Sequence, residues 1–264
     1  MVRAKAMILA NGIARKPAPF SWRISMKLFI IDTETSDLDP SKGGAILELA
    51  WIVLSNDEGT WKPTSHCSMY IQYDGSMNPH AQASHHIRAD QLTKESGALP
   101  REEAVNFLSK QIEPDSILVA HNVSFDSKFL PELTRPWICT FRSAKHIWSD
   151  APGYSNQVLR YWLNIEISQS ILDIAPILSH MNPHQALFDV AITTEILSRM
   201  INHGYSVDRL LHLSMSPVKM KTIGFGKHKG IDFSQIPRDY LRWLRQQPNL
   251  DDDIKHTIES ILRS

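Results

Sequence analysis

The run Leu28-Phe29-Ile30-Ile31-Asp32-Thr33-Glu34-Thr35 constrains the fold of this chain more than any other, because an unbroken apolar segment ends abruptly on two acids. Four consecutive apolar residues need cover on both sides, which predicts a strand buried on both faces, with Lys27 at its start. Residues two apart in an extended chain share a side, so Asp32 and Glu34 project together from the strand's end. Adjacent carboxylates repel unless a positive charge lies between them. A divalent cation such as Mg²⁺ or Mn²⁺ suits that place, since both prefer hard oxygen ligands and leave room for water and a phosphate. Taken alone, the pattern is also that of a solvated strand end, so the remaining acids decide.

The polar stretch Ser36–Gly44 reads as a turn-rich loop, Ala45–Leu54 as a second strand, Asn56–Gly59 as a hairpin turn and Ser68–Tyr73 as a third strand. Three successive strands predict an antiparallel meander that begins with the acid-bearing strand. Leu38 is an apolar side chain in the polar loop, placed either to tuck under it or to wedge against a terminal base.

Pro100–Ile112 carries Ala104, Phe107, Leu108 and Ile112 at helical spacing, and Ser116–Ala120 reads as another buried strand. His121-Asn122-Val123-Ser124-Phe125-Asp126 then predicts a tight connection into a helix whose first turn presents Asp126, a position the helix dipole favours for a carboxylate even without a ligand. Trp137–Thr140 is a short strand, Phe141–Trp148 a helix, and Ser155 or Asn156 caps the helix that follows. Leu187, Val190, Ala191, Thr194, Leu197 and Ile201 form one stripe of the clearest helix, with Gly204 as its stop. His184 and Asp189 are five apart, about 140° around a helix, so they cannot share a helical face. If both serve one site, His184 comes from the loop that enters the helix and Asp189 from the helix itself.

Beyond Gly204 the pattern changes to a short helix over Ser206–Leu213, a break at Ser214–Pro217, and a basic segment with Lys219, Lys221, Lys227, His228 and Lys229. Its Gly224-Phe225-Gly226-Lys227-His228-Lys229-Gly230 is not a phosphate-binding Walker loop. Asp239–Gln246 and Ile254–Leu262 read as helices, the first rich in aromatics. This end is either a small module packed by its aromatics or a nucleic-acid contact. The domains expected are therefore a basic leader over 1–25, a main domain over 26–204 and an accessory module over 205–264.

With 264 residues, 42% of them hydrophobic, the chain can bury a sizeable core, and no apolar run approaches a membrane span. Its formal charge of zero is uneven, because Arg3, Lys5, Arg15, Lys16 and Arg23 stand in the first 26 residues without an acid. That leader reads as a disordered segment or an upstream start ahead of Met26, with a targeting segment or a basic arm on nucleic acid as alternatives. A nucleic-acid enzyme of this charge depends on local basic patches and metal ions. Two cysteines, Cys67 and Cys139, form no disulfide framework and fit a reducing cytoplasm.

Together, Asp32-Thr33-Glu34-Thr35, His121-Asn122-x-x-Phe125-Asp126 and His184-x-x-x-x-Asp189 resemble the motifs of the DEDDh (DnaQ-like) family of 3′→5′ exonucleases. Pro79-x-Ala81-x-x-x-His85-x-Ile87 is similar to a further family pattern. The resemblance implies an RNase H-like α/β fold with a mixed central sheet flanked by helices. It implies Asp32, Glu34, Asp126 and Asp189 as ligands of two Mg²⁺ ions, with Mn²⁺ as a substitute, and His184 as the base that deprotonates the attacking water. Asp32 would bridge the two ions. It also implies substrate contacts from Thr33, Thr35, Leu38, His85, Asn122, Phe125 and Ser155. The implied activity is release of nucleoside 5′-monophosphates from 3′ ends of DNA, single-stranded or duplex, in DNA repair. The basic and aromatic tail is similar to that of a DNA-degrading branch of the family. An RNA-trimming member and a non-catalytic nucleic-acid-binding module are the alternatives; no protein partner is implied.

Overall fold

The computed structural model describes residues 26–263, so the basic leader expected over 1–25 lies outside the described residues. The strand predicted from Leu28 is β1 (Lys27–Thr35), followed by β2 (Ile46–Asp57), β3 (Thr60–Tyr70), β4 (Ile117–Ala120) and β5 (Trp137–Cys139). They form one sheet in the order β3-β2-β1-β4-β5. β1, β2 and β3 make the expected antiparallel meander, whereas β4 and β5 run parallel to β1. This is the mixed sheet that the resemblance implied.

The helices are α1 (Pro79–His85), α2 (Arg101–Ser109), α3 (Val123–Phe129), α4 (Thr140–Ile147), α5 (Asn156–Trp162), α6 (Gln169–Ile174), α7 (Ala186–Asn202), α8 (Val207–Met215), α9 (Arg238–Arg245) and α10 (Asp252–Arg263). Strand alternation sorts them into two layers. Leu28 and Ile30 of β1 share a core with Ala50 and Ile52 of β2 and with residues of α4, α5, α6, α7 and α8, while Phe29 and Ile31 share another with Leu49, Trp51, α2 and α3. Both faces of β1 are thus covered, as its unbroken apolar run requires.

β3 begins well before the expected Ser68 and ends at Tyr70, short of Tyr73. Pro63 and alternating exposed residues obscured it in the sequence; β3 is the sheet's edge, where a missing N–H is tolerated, and Pro63 lies at the register shift between Val53 and Leu54. A second difference concerns α8, which lies beyond the expected boundary at 204. Its Leu210 and Leu213 are buried in the core of the main sheet, and the Ser214 hydroxyl accepts the Cys139 N–H of β5 at 2.8 Å. The C-terminal end has its own core only from Ile223 onward, built from Phe233, Ile236, Leu241, Leu244, Ile254 and Ile258.

Candidate active site

β1 and β4 run parallel, so their carboxyl ends open at the same edge of the sheet, where α/β folds commonly place ligands. Asp32 and Glu34 continue the phase of Leu28 and Ile30 and therefore face the layer that contains α7. Asp189 stands in the first turn of α7, and one carboxylate oxygen from each of Asp32, Glu34 and Asp189 lies within 4.8 Å of the others. Thr33, in the opposite phase, faces α3 and donates its hydroxyl to Asp126 Oδ1 at 3.0 Å. One cavity of about 200 Å³ is lined by all four acids, together with Thr33, His121, Asn122, Phe125, Asn156 and His184.

Two contacts hold Asp189. Gln157 Nε2 donates to its Oδ1 at 2.9 Å, and the backbone N–H of His184 donates to its Oδ2 at 3.1 Å. The second requires the chain to double back just before α7, and His184 does so with φ at +64°. A non-glycine residue in that region is uncommon and concentrates at functional sites. The imidazole projects from this loop, 54% exposed, with Nδ1 4.0 Å from Asp189 Oδ2. His184 thus stands in the loop and Asp189 on the helix, as their five-residue spacing requires of two side chains that meet.

His121 forms the opposite wall. Its Nε2–H donates to the Tyr154 carbonyl at 2.8 Å, which leaves Nδ1 to accept from the Thr140 hydroxyl at 2.9 Å. Burial pushes its pKa down to about 4, so the ring is neutral and structural.

The electrostatics follow from acids gathered in a half-closed cleft. Burial first, then Asp126, Glu34 and Asp189, raises the pKa of Asp32 well above the ordinary carboxylate range. Burial, with Asp189, Glu48 and Asp126, pushes Glu34 up to about 9. Burial raises Asp126 to about 7 despite the Thr33 hydrogen bond, and raises Asp189 against the opposing pull of His184 and Gln157. No lysine or arginine lines the cavity among the described residues. Hard oxygen donors with no resident counter-charge are the chemistry of a divalent-cation site, and the donor set here fits one.

The expected substrate contacts separate into two groups. Thr33, Asn122 and Phe125 line the cavity. Leu38 stands at the loop, 74% exposed. Thr35 is buried and donates to the Asp37 carbonyl at 2.8 Å. Ser155 caps α5 by accepting from the Val158 N–H at 3.4 Å, and its neighbour Asn156 takes the place expected of it, lining the cavity and donating to the Asp189 carbonyl at 3.1 Å. His85 is 5% exposed and accepts the Ile87 N–H on Nδ1 at 2.9 Å. It lines a separate cavity of about 230 Å³ with Glu48 and Tyr70.

Glu48 is the functional-site residue that the sequence reading missed. It lies directly opposite Glu34 in the β1–β2 ladder and is 3% exposed. Its Oε1 accepts from the Ser68 hydroxyl at 2.9 Å and its Oε2 from the Ala186 N–H at 3.2 Å. Ala186 opens α7, so Glu48 fixes the helix start that carries Asp189. Burial raises the pKa of this carboxyl too. The available signal was a lone acid inside the apolar run Ile46–Leu54.

A family model described as an exonuclease (RNase_T) matches residues 29–197. Exodeoxyribonuclease 10 of Escherichia coli (strain K12) is 31% identical over 244 residues, spanning 88% of this chain and 99% of its own length. Ribonuclease T of Haemophilus influenzae (strain PittEE) is 28% identical over 196 residues, spanning 70% of this chain and 83% of its own length. Among solved structures, Exonuclease X in complex with 5′ overhanging duplex DNA matches with a TM-score of 0.54 at 26% identity, over 71% of this chain and 99% of that one. Exonuclease I of E. coli in complex with a dA16 oligonucleotide shares the fold at 14% identity, with a TM-score of 0.53 over 71% of this chain and 42% of that one.

Proposed function

The chain belongs to the exonuclease family, and on that premise we propose that it is a metal-dependent 3′→5′ exodeoxyribonuclease that releases nucleoside 5′-monophosphates from DNA ends. The observation that carries the reading is the convergence of Asp32, Glu34 and Asp189 within 4.8 Å, in a cavity that Asp126 and His184 also line.

Asp32, Glu34, Asp126 and Asp189 would hold two Mg²⁺ ions, with Mn²⁺ as a substitute. When bound, such ions offset the carboxylate charge and stabilise the attacking and leaving oxygens of a phosphodiester. Asp32 would hold the ions together with Glu34 and Asp189, whose carboxylate oxygens lie within 4.8 Å of its own. Gln157 and the His184 N–H orient Asp189, and Thr33 orients Asp126, so the ligand atoms are set before substrate arrives. His184 is the general base: its imidazole takes a proton from the attacking water. Its exposed, strained loop lets the ring move while Asp189 stays fixed. Thr33, Asn122 and Phe125 contact the terminal nucleotide, and Leu38 meets its base from the loop.

The similarity to Exodeoxyribonuclease 10 along almost all of that protein's length favours DNA, and the shorter similarity to Ribonuclease T favours RNA as the second reading; a role in DNA repair and a cytoplasmic location belong to the proposal itself. Digestion of a DNA oligomer with distinct labels at its two ends, and of its RNA counterpart, tests both in Mg²⁺ or EDTA. Metal-dependent mononucleotide release from the 3′ end of DNA, absent in Asp32→Ala, is the expected result. Faster digestion of RNA would overturn the substrate assignment, and no digestion of either by folded protein would overturn the catalytic one.

A further inference from the structure

A second cleft lies apart from the acidic one. It measures about 670 Å³ and runs along the seam between the α4–α5 region of the main domain and the segment that leads into the C-terminal helices. Three lysines line it: Lys145 from α4, and Lys219 and Lys221 from the segment after α8. Between them, Tyr154, Met220 and Phe233 supply an apolar floor. A cleft of this size, with an apolar floor and a few charged groups, falls in the range of ligand sites.

The lysines are held in place by their surroundings. Val218 N–H donates to Asp253 Oδ1 and Met220 N–H to Thr257 Oγ1, each at 2.8 Å. These alternate residues face α10, and residues 219 and 221 share a side in an extended segment. Asp253 itself is gripped by Arg142 of α4 through bonds of 2.9 and 3.2 Å, and Arg142 also donates to the Ser216 carbonyl at 2.7 Å. The segment is therefore anchored to the main domain. Lys145 lies over the Phe141 ring at 4.4 Å from its centroid. Lys145 contributes to lowering the Asp253 pKa and Lys221 to lowering that of Asp232, both as minor charge effects beside closer partners. Asp150 and Asp232 also line the cleft; the Ser234 hydroxyl and N–H, at 2.6 and 2.8 Å from Asp232 Oδ1, and the charge of Lys221 hold Asp232 below the usual carboxylate range.

The seam adjoins the acidic site. Tyr154 lines the cleft, and its carbonyl accepts from His121, which lines the acid cavity. The hydrogen bond between His121 and Tyr154 joins the walls of cavity and cleft. The acid cavity has no cationic side chain of its own among the described residues to hold the rest of a polyanion. We infer that the seam cleft is a second nucleic-acid site, which holds the phosphodiester backbone of the substrate strand upstream of its 3′ end on Lys145, Lys219 and Lys221, with bases against the half-buried Tyr154. The inference rests on the exonuclease reading. Lysine contacts to phosphate release counterions, and aromatic faces accept any base, so the site is sequence-tolerant and salt-sensitive.

The test uses the full chain with Lys145→Gln, Lys219→Gln and Lys221→Gln combined. Binding of a single-stranded DNA oligomer of about 20 nucleotides is measured against salt in the Asp32→Ala background, which preserves the strand. Each lost contact flattens the slope of log affinity against log salt by about 0.7, so the triple variant should show a slope shallower by about 2 and affinity weaker by on the order of 100-fold near 0.1 M salt. With the active-site acids restored, it should hydrolyse a dinucleotide, too short to reach the seam, as fast as the unaltered chain does. The matching triple Lys→Arg variant should bind as the parent does. An unchanged affinity and slope overturns the inference, as does a Lys→Arg variant as weak as the Lys→Gln one. Failure of the unaltered chain to cleave even the dinucleotide would overturn the exonuclease reading instead.

Discussion

Metal removal should make this protein less stable as pH rises, the opposite of what paired carboxylates ordinarily do. In the metal-free fold, burial and mutual repulsion hold Asp32, Glu34, Asp126 and Asp189 above their unfolded pKa values. Between the unfolded and folded values the native state binds more protons than the unfolded chain, so unfolding free energy falls with pH. For Glu34 the window runs from 4.5 to about 9. At pH 7 this residue alone withdraws on the order of 3 kcal/mol relative to an unshifted glutamate, a sizeable share of the stability of a typical domain. Divalent cations reverse the sign, because the ions bind ionised carboxylates and displace their protons. The assay is denaturant unfolding at pH 5, 7 and 9, in EDTA and in excess Mg²⁺ or Mn²⁺. Stability in EDTA should decline across the series while the metal-loaded protein holds level. At about 100 times the dissociation constant, one bound ion restores about 2.7 kcal/mol. Calorimetric titration in buffers of different ionisation enthalpy should detect at least one proton released on metal binding at pH 7. A stability in EDTA that is flat or rises from pH 5 to 9, with no proton release, would refute the account of the cluster.

Three further outcomes follow from named contacts. His184→Ala should lower kcat by about 10²- to 10⁴-fold with KM little changed; equal losses of turnover and binding in single-turnover kinetics would speak against a base. Glu48→Ala frees the Ala186 N–H and the start of α7, so turnover should fall about tenfold or more and the metal concentration for half-maximal rate should rise; Glu48→Gln, which still presents a carbonyl oxygen to Ala186, should recover most of both, and identical kinetics for the two variants would contradict the role. Asp253→Ala strips Arg142 and the Val218 N–H of a shared acceptor. Burial alone would raise the pKa of Asp253, yet Arg142 and Val218 hold it below the usual range, so the carboxylate is charged and engaged at neutral pH. Its loss should cost about 2–4 kcal/mol locally and expose the segment after α8 to limited proteolysis; unchanged cleavage there would refute the anchoring.

The parts of the site legible in the sequence are those fixed by local geometry. The side shared by Asp32 and Glu34 follows from strand alternation, and the separate origins of His184 and Asp189 follow from 3.6 residues per turn, so both hold whatever the surrounding fold. Glu48 is different in kind. Its place beside the acids depends on which residue of β2 faces Glu34, and that register is a property of two strands and the loop between them. Ser155 and Asn156 expose the same limit at smaller scale. Both are good caps by composition, but a capping serine turns its hydroxyl to the helix N–H groups, and the next residue is then left to face Asp189. Pro63 hid an edge strand because a proline excludes only the interior of a sheet, and edge position is decided by topology. Gly204 follows the end of α7, and the helix after it packs into the core of the main sheet. Leu210 and Leu213 have a spacing that can serve either core, and what assigns them to the main sheet is α8 lying against α4 and β5. That packing carries the chain to Ser216, where Arg142 and Asp253 take hold, and so it fixes where Lys219 and Lys221 stand relative to the acids. The placement of the basic segment is thus a consequence of tertiary contacts that its own lysines and glycines do not encode.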